Sequence, residues 1–274
     1  MVTPARNTDI NCSVEKTLGP VLSVHRQPSA SSMLLIVLLG GLVVLFLFLS
    51  ISALGKSIEV AAIGAIVSLC FSLITALLIW VRIARRNDRV ILHERGLAIY
   101  KIGEITIVTW EEIVNINRGE INRGRGPSID TAPYLILKTS HGQKIKVGGS
   151  FSSVNGSMME GGNELVTAIE ECTFPYRWKQ YVTDIERGAI VDFGKLSATR
   201  RGLTINRKEY SWSDVERISK HVTLVNGVGP TQVDFYIRGR QTPIHRLQLF
   251  QIVDYSILRG LHAVMAQASS ESSR

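Results

Sequence analysis

Two long stretches without a charged side chain, Met33–Leu54 and Val60–Val81, constrain most strongly what this chain can fold into. A helix of such length, at about 1.5 Å per residue, reaches roughly 33 Å, enough for a hydrocarbon core of about 30 Å. Core helices of soluble proteins usually keep a polar stripe, and neither run has one. Gly55–Glu59 is too short to form a domain between them, so the pattern predicts a two-helix transmembrane hairpin.

The cations orient it. Arg82, Arg85, Arg86 and Arg89 crowd the end of the second run, whereas the connecting turn has only Lys56, balanced by Glu59. Lys and Arg accumulate on the cytoplasmic side, so both flanks are predicted to be cytoplasmic in a multi-pass protein. Trp80 sits where an interfacial aromatic anchor belongs. Residues 1–32 contain acids, Pro and Ser without periodicity, which predicts a disordered cytoplasmic tail rather than a cleaved signal. Gly64, Ser68, Ser72 and Ala76 form a four-residue-spaced small stripe on the second run, and Gly40 and Gly41 on the first are placed to receive it. That seam either closes the hairpin or assembles a homo-oligomer. Cys12, Cys70 and Cys172 are unclustered, as suits a reducing compartment.

After the arginines the period changes to two. Arg89–His93, Leu97–Lys101, Ile105–Thr109, Val114–Arg118, Tyr134–Thr139 and Gln143–Val147 read as strands, with Gly96 and Gly142 expected at positive φ in tight turns. Glu120–Ala132 reads as a long loop and Gly148–Gly162 as a mobile one. Asn163 is a candidate cap for a helix ending before Pro175, and Phe174–Arg187 a rigid helical connector that docks one barrel on the other. The plan then recurs: seven strand candidates between Ile190 and Phe250, and a closing helix over Ile252–Met265. Arg201-Gly202-Leu203 repeats Arg95-Gly96-Leu97, and Trp212-Ser213-Asp214-Val215 repeats Trp110-Glu111-Glu112-Ile113. Both tryptophans are expected to fill a corner of the core.

This arrangement, with "RGL" at the first hairpin, a "WEEI" or "WSDV" corner after the third strand and a C-terminal helix, resembles the bacterial pleckstrin-homology-like domains. In particular it resembles uncharacterised bacterial membrane proteins that carry one such domain, or two in tandem, beside a short transmembrane unit, which implies a place in the bacterial inner membrane. The resemblance implies two strongly bent antiparallel barrels of six to seven strands, residues 89–172 and 189–268, each plugged by its helix. A connector over 173–188 would join them, and residues 269–274 would form a disordered tail.

Catalytic and metal motifs do not assemble. The six histidines show no paired ligand spacing, and neither a phosphate-cradling loop nor a nucleophile elbow is present, so no enzyme activity, cofactor or metal is expected. Glu111, Glu112 and Asp214 are expected to start short helical turns. Of the net charge of +8, the segment 89–172 contributes −1 and the segment 189–267 contributes +5. Arg200, Arg201, Arg207 and Lys208 therefore become the first candidates for contact with anionic lipid headgroups or a protein partner, with Arg118, Arg123 and Arg125 second. No aromatic recognition strand accompanies them, so nucleic acid is not predicted. The expected role is a membrane-anchored scaffold that binds a cytoplasmic protein, peptide or lipid headgroup, with an oligomeric structural or transport-associated component as the alternative.

Overall fold

The structure, a computed structural model, describes residues 14–26, 31–53, 58–85, 89–101, 104–125, 128–148 and 162–271. A helical turn over 14–18 leads into β1 (Val21–Arg26). The apolar helices α1 (Ser31–Ala53) and α2 (Ile58–Arg85) follow, and the chain then returns as β2 (Arg89–His93). β1 and β2 are antiparallel neighbours, with Arg26 paired to Arg89. The helix pair is thus an insertion between two adjacent strands.

β3 (Gly96–Lys101) and β4 (Glu104–Thr109) complete a four-stranded sheet in the order β1-β2-β3-β4. The expected disorder of residues 1–32 is corrected over 14–26. Val14 and Leu18 bury themselves against Ala98, and the Leu18 carbonyl accepts the Arg95 N–H at 2.9 Å. β3 is consequently covered on both faces, which explains its unbroken apolar run of Leu97, Ala98 and Ile99.

A 3-10 turn over Trp110–Glu112 leads to β5 (Ile113–Arg125), β6 (Ser128–Thr139) and β7 (Lys144–Gly148). Helix α3 (Gly162–Glu186) follows, and the second half then repeats the order. Its four-stranded sheet comprises β8 (Val191–Asp192), β9 (Leu196–Ala198), β10 (Gly202–Ile205) and β11 (Lys208–Ser211). β12 (Val215–Val222), β13 (Val228–Ile237), β14 (His245–Gln248), a 3-10 turn over Leu249–Gln251 and α4 (Tyr255–Glu271) close the chain.

The two expected barrels do not form. Among the described residues there are three separate sheets and no closed barrel, and the third sheet belongs to both halves, in the order β12-β13-β5-β6-β7 with β14 also on β13. Strand length explains this. β5 and β6 run 13 and 12 residues, far beyond the 5 of β7, and β13 runs 10 against the 4 of β14. Each half is left with backbone donors and acceptors that its own strands cannot pair. They pair with each other, Ile121, Asn122 and Arg123 opposite Pro230, Gly229 and Val228. The expected loop Glu120–Ala132 is therefore mainly the distal arm of a β-hairpin, with residues 126–127 outside the described residues. The expected loop Gly148–Gly162 lies almost wholly outside them as well.

Asn122, fully buried, fastens that seam. Its amide donates to the Gly229 carbonyl at 3.1 Å and to the Thr231 hydroxyl at 2.9 Å, and its oxygen accepts from Thr131 at 2.7 Å. Asn122→Leu should cost about 1–3 kcal/mol, because the three partners lose their hydrogen bonds in a dry place. Hydrogen exchange should report it as lost protection over residues 228–231.

α3 does not stop before Pro175; it runs through it. The proline removes one N–H donor, and two residues earlier the Thr173 hydroxyl donates to the Ile169 carbonyl at 2.7 Å. Leu165, Val166 and Ile169 close the core of the first half, while Tyr181 and Ile185 enter the core of the second. One helix serves two cores, and the expected flanking connector is part of it.

The two-helix transmembrane hairpin is likewise corrected. Among the described residues one segment, Ala62–Trp80, is long and apolar enough to cross a membrane; the apolar part of α1 is Ile36–Ser52, of 17 residues. The two helices pack along each other all the same, with Phe46 and Phe71 stacked at 5.7 Å between ring centroids and the Ser68 hydroxyl 3.4 Å from the Val43 carbonyl.

Candidate functional site

The halves meet around a cleft of about 400 Å³ whose walls include Arg118 of β5, Glu170 of α3, Lys220 of β12, and Tyr255, Ser256 and Arg259 of α4. Arg118 donates from Nε to Glu120 at 2.8 Å and from Nη1 to Glu170. Lys220 reaches Glu120 at 3.3 Å and lies over the Tyr255 ring at 5.1 Å, and the Thr231 hydroxyl donates to Glu120 at 2.8 Å. Burial pushes the Glu120 carboxyl upward, but Lys220, Arg118 and Thr231 outweigh it and leave its pKa below the usual value. For Glu170 burial prevails over Arg118 and the pKa is raised. Burial likewise prevails at Lys220, which is lowered in spite of its contact with Glu120.

Deeper in the junction, Arg177 of α3 is almost fully buried and bonded to Asp254, which precedes α4. Its guanidinium also donates to the Tyr181 hydroxyl at 3.0 Å and the Ile113 carbonyl at 3.3 Å. Tyr181 donates to Asp254 at 2.6 Å. Burial raises the Asp254 carboxyl to about 6 against the opposing pull of Arg177. Burial, with the Asp254 charge beside it, also raises the Tyr181 phenol. Asp254 adopts φ of 50° and donates its own N–H to the Ile116 carbonyl at 2.7 Å, so its backbone ties it to β5 while its carboxylate ties it to α3.

These charges engage one another, so the junction is a lock between elements more than a display of reactive groups. Among the described residues no cluster of three or more His, Cys, Asp or Glu could hold a metal ion.

The basic residues singled out from the sequence are not brought together. Arg200 and Arg201 occupy the turn before β10, while Arg207 and Lys208 lie at its other end, about 13 Å away along four residues of strand. All four are exposed, and among the described residues none forms a salt bridge. Arg207 also shapes the backbone, since Asn206 and Arg207, at φ of 50° and 67°, form the two-residue hairpin turn between β10 and β11. Arg118 is committed to Glu120 and Glu170 and is not a free lipid contact. Arg123 and Arg125 sit on the distal arm of β5, and their side chains are outside the described residues.

The small stripe of α2 divides too. A Cβ on Gly64 would lie 2.2 Å from the Ser50 hydroxyl, and Ser68 is buried, so these two form the seam with α1. The Ser72 hydroxyl turns back to the Ser68 carbonyl at 2.8 Å, and Ala76 is exposed. Gly40 and Gly41 do not receive the stripe; a Cβ on either would meet nothing within 4 Å. Gly64→Leu should therefore lower the melting temperature of the detergent-solubilised chain by several degrees through overpacking, while Gly41→Leu leaves it nearly unchanged.

Sequence reasoning missed Glu120, Glu170, Arg177, Lys220 and Asp254. The clearest signal was Arg177 within the aromatic run Phe174-Pro-Tyr-Arg-Trp-Lys-Gln-Tyr181, where a helix due for burial carries a cation that needs a partner.

No curated protein and no solved structure matches this chain. The profile of one family, described as a family of unknown function (DUF6585), matches residues 10–226, from just before the helical turn to just beyond β12, and the chain belongs to that family.

Proposed function

We propose that the chain is a membrane-anchored binding protein, holding its interlocked β body beside a bilayer for a protein, peptide or anionic lipid headgroup. One observation carries this reading. The helix pair exposes large apolar side chains on its outer surface, among them Phe48 at 67%, Ile51 at 71% and Leu73 at 63%. A continuous apolar surface of that kind is stable against lipid and a liability in water. Because β1 before the pair and β2 after it are bonded neighbours, both ends of the helix pair join the body at one place on the first sheet.

Binding without catalysis suits a junction whose charged groups neutralise each other. Anchoring would raise the effective concentration of the body next to membrane-borne partners. The oligomeric alternative loses its support in the α2 stripe, since Gly64 and Ser68 face α1 of the same chain. Alkaline carbonate treatment of membranes containing the full chain tests the anchor. The expected result is retention in the membrane pellet; release into the aqueous fraction would reject the reading.

A further inference from the structure

Resting on the membrane reading, we infer that the end of the first sheet where the helix pair enters is a headgroup-facing surface, built around Arg89, Tyr100 and Lys101, that seats the body on anionic lipid in a fixed orientation.

Chain connectivity places it there. Arg85 ends α2 and Arg89 starts β2, so Arg89 lies within about 22 Å of Trp80, allowing five helical residues at about 1.5 Å and four extended steps of at most about 3.5 Å. In the sheet Arg26, Arg89 and Tyr100 are consecutive partners, and Lys101 pairs with Glu104 on the next strand. All four strands therefore present this same end toward the anchor. Two connections to two bonded strands resist swivelling in a way that a single tether does not.

Charge agrees independently. By sequence the anchor end carries Arg26, Arg82, Arg85, Arg86, Arg89 and Lys101 against two acids, Asp88 and Glu104. About 15 Å away along the strands, the opposite end holds Glu15, Glu94, Glu111 and Glu112 against Lys16 and Arg95. The sheet is positive where lipid would be and negative beyond it, and the far end lies more than a Debye length of about 8 Å away from the headgroups. Arg89 is also incompletely used: its guanidinium lies 4.5 Å from the Tyr100 ring centroid, and its buried Nε has no acceptor among the described residues.

The test uses the full chain in nanodiscs, with Cys12, Cys70 and Cys172 replaced by serine and one fluorophore attached at Glu104→Cys or Glu94→Cys. Both sites are exposed and both changes remove one acid. With a quencher on the lipid headgroups, the label at position 104 should be quenched roughly threefold more than the label at 94 in phosphatidylglycerol discs, given the strand-length offset between them. The contrast should shrink in phosphatidylcholine discs and in a Lys101→Gln/Arg85→Gln variant. Equal quenching at the two sites, or a contrast indifferent to lipid charge and to that variant, would overturn the inference. Carbonate extraction of the same preparations separates the two failures. A chain that leaves the membrane sinks the anchor itself, and one that stays but shows no contrast sinks only the seating.

Discussion

Asp254→Ala should destabilise the folded body by about 3–5 kcal/mol, since it leaves the buried Arg177 guanidinium without its counter-charge. Arg177 would keep only the Tyr181 hydroxyl and the Ile113 carbonyl. Chemical denaturation of the full chain in detergent, followed by tryptophan fluorescence, measures the loss. The double replacement Arg177→Met/Asp254→Leu should recover most of it, because removing both charges with volume kept is often close to neutral. A single substitution costing less than about 1 kcal/mol would show that the pair does not lock the halves. The pH dependence has a definite sign. An acid held at about 6 when folded, against 3.8 for an unperturbed aspartate, binds its proton more tightly in the folded state. Its contribution to stability is then greatest below about 4 and is lost as the pH rises through about 6. Asp254→Asn should remove that slope relative to the parent chain.

What could be read from the residues alone follows the range of the interaction. Strand positions and the duplicated "RGL" and tryptophan corners were legible because alternation and turn chemistry act between near neighbours. The joining of the halves was not. It depends on β5, β6 and β13 outrunning their local partners, and a strand's surplus length is visible only once its neighbour's end is known. Reading Glu120–Ala132 as a loop was the direct consequence, since Gly119 and Gly124 punctuate an arm that is nonetheless paired. Helix α3 was cut at Pro175 by a rule that holds for local propensity and yields where two cores hold the helix from both sides. The charged junction was the least legible part, because Arg118, Glu170, Lys220 and Asp254 are distant in sequence and only the fold assembles them. The lipid candidates at Arg200, Arg201, Arg207 and Lys208 were grouped by sequence proximity, and a four-residue strand separates them into two pairs.

The duplicated corner makes the other large prediction. Trp110 and Trp212 are each 1% exposed, and each donates its indole N–H back to the preceding hairpin, to the Glu94 carbonyl at 2.9 Å and the Thr199 carbonyl at 3.0 Å. The glycine of each motif is required by closeness rather than by a positive φ. A Cβ at Gly96 would sit 2.2 Å from the Val108 carbonyl oxygen and one at Gly202 1.9 Å from that of Tyr210. Backbone on the paired strand cannot move aside without breaking the ladder that brings the tryptophan to its corner. Trp110→Ala and Trp212→Ala should each cost about 3–5 kcal/mol through the cavity they leave. Trp→Phe, which keeps much of the volume and loses one hydrogen bond, should cost roughly 1–2 kcal/mol. Gly96→Ala and Gly202→Ala should fall nearer the tryptophan-to-alanine losses, because the clash is with main chain. Hydrogen exchange should place the damage of each substitution first in its own core. If either Gly→Ala variant matched the parent in denaturant midpoint, close backbone approach would not be the reason that Arg-Gly-Leu occurs twice.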